Sequence, residues 1–217
     1  MSILHEDRDL LVVTKPSGLL TVGTAHDKER TAHYLLNDYV RKGDPKSRNR
    51  VYVVHRLDQD TSGILLFAKS EQAKSFLQEH WEKTDKHYLA IVQGRLTPAE
   101  GAISTYLAEN KAQKIYSTDD AAKGKLARTE YRVLQQTRDS SLVEVHLVTG
   151  RKHQIRVHFA GLGHPVLGDK KYGNAAAAAK RLALHARTIS FNHPFSNKRM
   201  TFDSGVPQDF VRMLGQR

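Results

Sequence analysis

The chain has 217 residues, 39% of them hydrophobic and 26% charged, which is enough to bury a core and unlike a disordered or membrane-embedded sequence. It has no cysteine, which excludes disulfides, thiolate nucleophiles, Cys-ligated zinc and Cys-held iron–sulfur clusters. Lys plus Arg number 34 and Asp plus Glu 23, and the resulting +11 favours a polyanionic partner; nucleic acid ranks above membrane because no amphipathic basic helix is evident.

The opening stretch, Met1-Ser2-Ile3-Leu4-His5-Glu6-Asp7, lacks the pattern of a secretory signal, and the expected compartment is the cytoplasm. Residues 9–14 read as a buried strand, stopped by Lys15-Pro16-Ser17-Gly18. Residues 30–40 predict a helix with Ala32, Leu35, Leu36 and Tyr39 on its apolar face. A basic loop follows at 41–50, then a strand at 51–54. A polar turn at 58–63 leads into the apolar run Ile64-Leu65-Leu66-Phe67-Ala68.

Ser70 has the chemistry of an N-cap for a helix reaching about Trp81. Residues 87–93 predict another strand, and the polar stretch 108–128 predicts a long loop. Strands are expected at 130–134 and 142–148; in the second, Val143, Val145 and Leu147 alternate with Glu144 and His146. A helix over 153–160 ends at Gly161 and Gly163. Five alanines at 175–179 read as a helix start or as a substituted polar loop, and no function attaches to them. A helical turn at 182–186 and a strand at 188–191 close the pattern. Strands adjacent in sequence with few helices between them predict an α+β fold with a mixed, mostly antiparallel sheet, and no composition shift divides the single domain expected over 1–217.

Two stretches concentrate chemistry. His55-Arg56-Leu57-Asp58-Gln59-Asp60-Thr61-Ser62-Gly63 puts acids, a cation and hydroxyls at a strand end, where binding groups often lie; Asx-turn hydrogen bonds would also explain the aspartates. Thr149-Gly150-Arg151-Lys152-His153-Gln154-Ile155-Arg156 gathers three cations at a strand-to-helix junction, suited to an anion. His153 and His158 are five apart, a poor spacing for two metal ligands, and read as structural. Phosphate-loop, dinucleotide and nucleophile-elbow motifs are missing.

Four ordered blocks together resemble the RluA-like RNA pseudouridine synthase family. They are Leu11-Val12-Val13-Thr14-Lys15-Pro16-Ser17-Gly18-Leu19, the H-R-L-D block at 55–63, Lys86-His87-Tyr88-Leu89-Ala90-Ile91-Val92-Gln93-Gly94, and the stretch from Gly150 to Asp169. The resemblance spans about residues 4–210 and implies isomerisation of uridine to pseudouridine in ribosomal or transfer RNA, with no cofactor, metal or obligate protein partner. It assigns Asp58 as the essential aspartate, either nucleophile or initiating base. Arg151 would be the cation that keeps Asp58 ionised. Tyr88 would stack on the target base, with Ile155 against its other face. Arg56 would occupy the space of the flipped-out uridine. Many members carry a small N-terminal RNA-binding domain; this sequence starts at the catalytic domain, so RNA recognition is expected from that domain.

From charge alone, Arg48 and Arg50, within the 41–50 loop, and the lysines of 111–125 are candidates for phosphate contact. Two rival readings stand beside this one. A non-catalytic RNA-binding module or chaperone would explain the charge equally well. A metal-dependent nuclease could use Asp58 and Asp60, although two carboxylates in one turn are few for magnesium.

Overall fold

The computed structural model describes residues 1–23, 27–173 and 179–215. The chain folds as two compact units, Met1–Thr84 with Ala186–Ser204, and Asp85–His185 with Gly205–Arg217. Each unit draws on two separated stretches, so composition along the chain does not announce them.

In the first unit, β1 (Ser2–Glu6), β2 (Leu10–Lys15), β4 (Ser62–Ala68) and β10 (Leu184–Asn192, from Ala186 onward) are neighbours in that order. The two-residue β3 (Tyr52–Val53) pairs with the end of β4, and β11 (Arg199–Asp203) pairs with β10. β2 and β4 are apolar without alternation because both faces are covered. Leu10, Val12, Ile64 and Leu66 pack with Ala73 and Leu77 of α2 (Glu71–Glu79), while Leu11, Val13, Leu65 and Phe67 are buried on the opposite face. As the sequence predicts, Ser70 caps α2, its Oγ accepting the Ala73 N–H at 3.1 Å.

Helix α1 (Ala32–Arg41) forms where expected, capped by Thr31, but it presents another face. Ala32, Leu36 and Val40 are buried, whereas Leu35 and Tyr39 are exposed. Val40 draws the buried stripe to a side roughly 140° round the helix from Leu35.

The second unit orders its strands β5 (Asp85–Gln93), β9 (Ser140–Leu147), β8 (Lys125–Gln136), β6 (Glu100–Glu109) and β7 (Ile115–Thr118), every neighbour antiparallel. Its core holds Leu89, Ile91, Val143, Val145, Phe159 of α3 (Gln154–Gly161) and Phe210 of α4 (Gln208–Gly215). The α+β architecture with antiparallel pairing follows the expectation. The long loop predicted at 108–128 is broken up by strands: β6 ends within it, β7 lies inside it and β8 begins before it closes. These strands show much of their surface to solvent and carry charge there, which removes the apolar signal of a strand. Residues 184–186, expected within a helical turn, begin β10, and β1, β11 and α4 were not anticipated. Of the alanine run, 175–178 lie outside the described residues. Among the described residues, no helix is long and apolar enough to cross a membrane.

Candidate active site

Asp58 sits half-buried in the turn before β4, and the hydrogen bonds of that turn explain its shape. Two loops, 16–21 and 57–61, are zipped together. Gly18 N–H donates to the Gln59 carbonyl at 2.9 Å, and Gln59 Nε2 donates to the Gly18 carbonyl at 3.1 Å. Ser17 Oγ donates to Asp60 O at 2.7 Å; buried Thr21 Oγ1 donates to Leu57 O at 2.9 Å and accepts the Leu57 N–H at 3.2 Å. Thr61 N–H closes the turn on Asp58 O at 3.1 Å. Gly63, at φ 114°, comes so close to Ala186 that a Cβ would lie 2.2 Å from its carbonyl oxygen, so only glycine fits.

Under this turn lies Lys15, 1% exposed. Its ammonium donates to the carbonyls of Pro16 (3.1 Å), Leu19 (2.8 Å) and Gln59 (2.9 Å). Burial pulls its pKa down to about 8, against the opposing pull of the Asp60 and Asp58 charges. The block's histidine is structural: His55 Nε2 accepts the Leu66 N–H at 3.1 Å, which leaves the ring's proton on Nδ1, and the ring stacks on Trp81 at 4.5 Å.

In the second unit, Tyr88 stands on β5 opposite Val145 of β9, and Ile155 lies in the first turn of α3 at 4% exposure. Both belong to one apolar cluster, so the structure brings these two predicted residues together. Arg151 precedes α3 in an exposed position, with its Nε donating to the Leu126 carbonyl at 3.0 Å. Its backbone is held by Gln154, whose Oε1 accepts the Arg151 N–H (2.9 Å) and the Thr149 hydroxyl (2.8 Å). Gln154 Nε2 donates to Arg128 O and Thr129 Oγ1, so this buried amide locks the junction to β8.

Arg156 is 8% exposed and forms a two-pronged pair with Asp169, Nε to Oδ2 at 2.7 Å and Nη2 to Oδ1 at 2.9 Å. Burial alone would raise the Asp169 carboxyl, but the hydrogen bonds and charge of Arg156 and the backbone N–H groups of Lys171 and Tyr172 leave it lowered. His158, 2% exposed, is bracketed by Thr105 Oγ1 (3.1 Å) and Thr129 Oγ1 (2.9 Å), and burial pushes its pKa down to about 4. It is therefore neutral at pH 7, the structural role predicted for it.

Arg56, Arg48 and Arg50 are all exposed, and Arg50 lies over the Tyr52 ring at 5.7 Å. Among the described residues, the one His and carboxylate trio close enough to hold a metal is Asp7, Asp9 and His193, which includes neither Asp58 nor Asp60. His193 Nδ1 accepts the N–H groups of Phe195 and Ser196, so its proton sits on Nε2, 3.3 Å from Asp7 Oδ2. Asp9 Oδ2 lies 4.0 Å from the same nitrogen.

The family model for RNA pseudouridylate synthase matches residues 9–161. The chain belongs to this family. It is 36% identical to the ribosomal large subunit pseudouridine synthase D of Zymomonas mobilis, across 96% of this chain and 70% of that one. It is 35% identical to an uncharacterized RNA pseudouridine synthase of Bacillus subtilis, across 98% of this chain and 71% of that one. Among solved structures, human RNA pseudouridylate synthase domain containing 4 superposes with a TM-score of 0.82 at 26% identity, covering 98% of this chain and 91% of that one. This pseudouridine synthase is accordingly an isomerase that converts uridine in RNA to pseudouridine.

The sequence assigns Lys15 and Gln154 no role and counts Arg156 only as one of three cations suited to an anion, yet the structure buries all three. Lys15, Gln154 and Arg156 all lie inside the family blocks, but each reads locally as a surface polar residue. Only the position of Lys15 in an otherwise buried strand, and of Arg156 and Gln154 around the apolar Ile155, hints at burial.

Proposed function

We propose that this pseudouridine synthase acts in the cytoplasm on a uridine held in a stem-loop of ribosomal or transfer RNA, with Asp58 as the essential carboxylate. The observation that carries the reading is the match to the family over 9–161, a span containing the H-R-L-D turn, Tyr88, Arg151 and Ile155. Two relatives bear the name ribosomal large subunit pseudouridine synthase D, which favours ribosomal RNA. The reaction breaks the bond from N1 to C1′, turns the uracil, and forms a bond from C5 to C1′. The C5 proton leaves and N1 gains one, so there is no net oxidation or hydrolysis.

In this reading Asp58 attacks, or deprotonates, the ribose. Tyr88 stacks on the uracil and takes the C5 proton, while Ile155 covers the other face. An apolar pocket of this kind keeps the detached base from water. Arg56 fills the space of the flipped-out base, offsetting an unstacking cost of a few kcal/mol. Arg48 and Arg50 contact phosphates.

Arg151 is the proposed cation for Asp58. One observation favours a second candidate: Arg151 is exposed and tied to Leu126 O, whereas Arg156, five residues on, is buried and rigidly held. A buried guanidinium influences a carboxylate more than an exposed one, because water screens it less. The reading is tested with stem-loop RNA carrying tritium at C5 of uridine. Tritium release is expected; RNA binding without release would leave a non-catalytic RNA-binding module or chaperone. The cation is identified by which of Arg151→Met and Arg156→Met raises the acid limb of the pH–rate profile. Mapping pseudouridines in cellular RNA with and without the gene names the target.

A further inference from the structure

His153 lies two residues from Arg151 and two from Ile155, and its backbone is left-handed, at φ 56° and ψ 16°. Glycine adopts this conformation freely; a histidine there is strained. His153 is the N-cap of α3, yet its side chain makes no capping hydrogen bond. The imidazole turns instead to Tyr172: Nδ1 lies 2.7 Å from the Tyr172 hydroxyl, and the two rings meet edge-on at 5.5 Å. The Tyr172 hydroxyl also accepts the N–H of Ile115, at the start of β7, at 3.1 Å. The Tyr172 N–H donates to Asp169 Oδ1 at 3.0 Å, the oxygen that also accepts from Arg156 Nη2, and the Arg156 guanidinium lies over the Tyr172 ring at 5.2 Å. One residue thus joins β7, the turn before α3 and the buried Arg156–Asp169 pair.

We infer that Tyr172 and His153 are a positioning pair for the isomerisation: the bond between hydroxyl and imidazole holds the left-handed turn, and the turn sets where Arg151 and Ile155 stand on either side of it. Strain of this kind persists only where the surroundings over-determine it, and here it falls between two residues proposed to meet the uridine and its aspartate. A turn free to relax would shift both residues, and misplacement by about 1 Å can slow a reaction about 100-fold. Gln154 braces the same turn from the β8 side, through the Arg151 N–H at 2.9 Å and the Arg128 carbonyl at 3.0 Å. Tyr172 supplies the brace from the β7 side. The inference rests on the roles proposed above for Arg151 and Ile155 and adds what holds them in place.

The test measures tritium release from C5-labelled stem-loop RNA by the full chain, at low and at saturating RNA. His153→Gly keeps the left-handed backbone without strain and leaves the Tyr172 hydroxyl on Ile115. Its urea midpoint should stay near the parent's while turnover falls about tenfold, with KM within a few-fold. Tyr172→Phe removes only the hydroxyl and should slow turnover similarly, with some loss of stability because the Ile115 N–H is left without its acceptor. Both substitutions break the same bond, so the double variant should be about as slow as the slower single one, whereas independent structural effects would multiply to about 100-fold. Normal turnover in His153→Gly, a multiplied loss in the double variant, or a loss carried by KM with turnover intact would each overturn the inference. If the parent chain itself releases no tritium, the proposed substrate fails, and the role inferred here fails with it.

Discussion

The Lys15 ammonium donates to the main-chain carbonyl of Gln59 at 2.9 Å, across 44 positions of sequence, and so anchors from below the residue that follows Asp58. A buried cation is costly, and here three carbonyls take the place of its water. The opposing charges of Asp58 and Asp60 further support it. Lys15→Met keeps the stem and removes the donors, so stability should fall by about 1–3 kcal/mol in urea unfolding and turnover should fall with it, while RNA affinity stays within a few-fold. The same group has a pH signature. In the folded chain Lys15 titrates near 8, and in the unfolded chain near 10.5, so between these values the unfolded state holds more protons. Stability from this group therefore rises with pH across that window, by at most about 1.4 kcal/mol per unit, and Lys15→Met should abolish the rise.

His158 gives the corresponding effect on the acid side. Its folded pKa lies near 4 against an ordinary 6.5, so the unfolded chain binds the extra proton first as pH falls. Its contribution is complete above pH 6.5 and is lost progressively toward pH 4. His158→Gln, which can still meet Thr105 and Thr129, should make the urea midpoint less sensitive to pH between 6.5 and 4 than in the parent. An identical pH dependence would show that the imidazole is not the group being titrated.

Asp58→Asn preserves shape and removes the carboxylate's charge. Tritium release from C5-labelled RNA should fall to background while RNA affinity remains within a few-fold. Near-normal turnover in this variant would remove Asp58 from the chemistry.

Gripping and flipping should separate by salt. Substituting Arg48 and Arg50 together should flatten the dependence of log affinity on log salt by roughly 0.7–1.8, the worth of one to two phosphate contacts, and weaken all RNAs alike. Arg56→Ala should lower turnover on a stem-loop with little change in that slope, and should spare a fully unpaired substrate. Equal losses on paired and unpaired RNA would place Arg56 in the chemical step or the fold instead.

Much of this protein is written in short stretches of its sequence. The continuous apolar runs of β2 and β4, the alternation of Val143, Val145 and Leu147, and the cap at Ser70 are set by neighbours, and the structure realises each of them. The ordered blocks around Asp58, Tyr88 and Arg151 likewise carry the resemblance to the family, whose model matches residues 9–161. Strands β6 and β7 and the first part of β8 are hidden because a strand face open to solvent tolerates Lys, Asp and Thr and loses its apolar period. The face that α1 buries was decided by Val40 meeting the core, not by the helix's own pattern of Leu35 and Tyr39. Tertiary structure alone paired Arg156 with Asp169 and sank Lys15 beneath the Asp58 turn. A charged side chain is stable in the interior only where distant groups converge to replace its water, and no local stretch of sequence specifies that convergence.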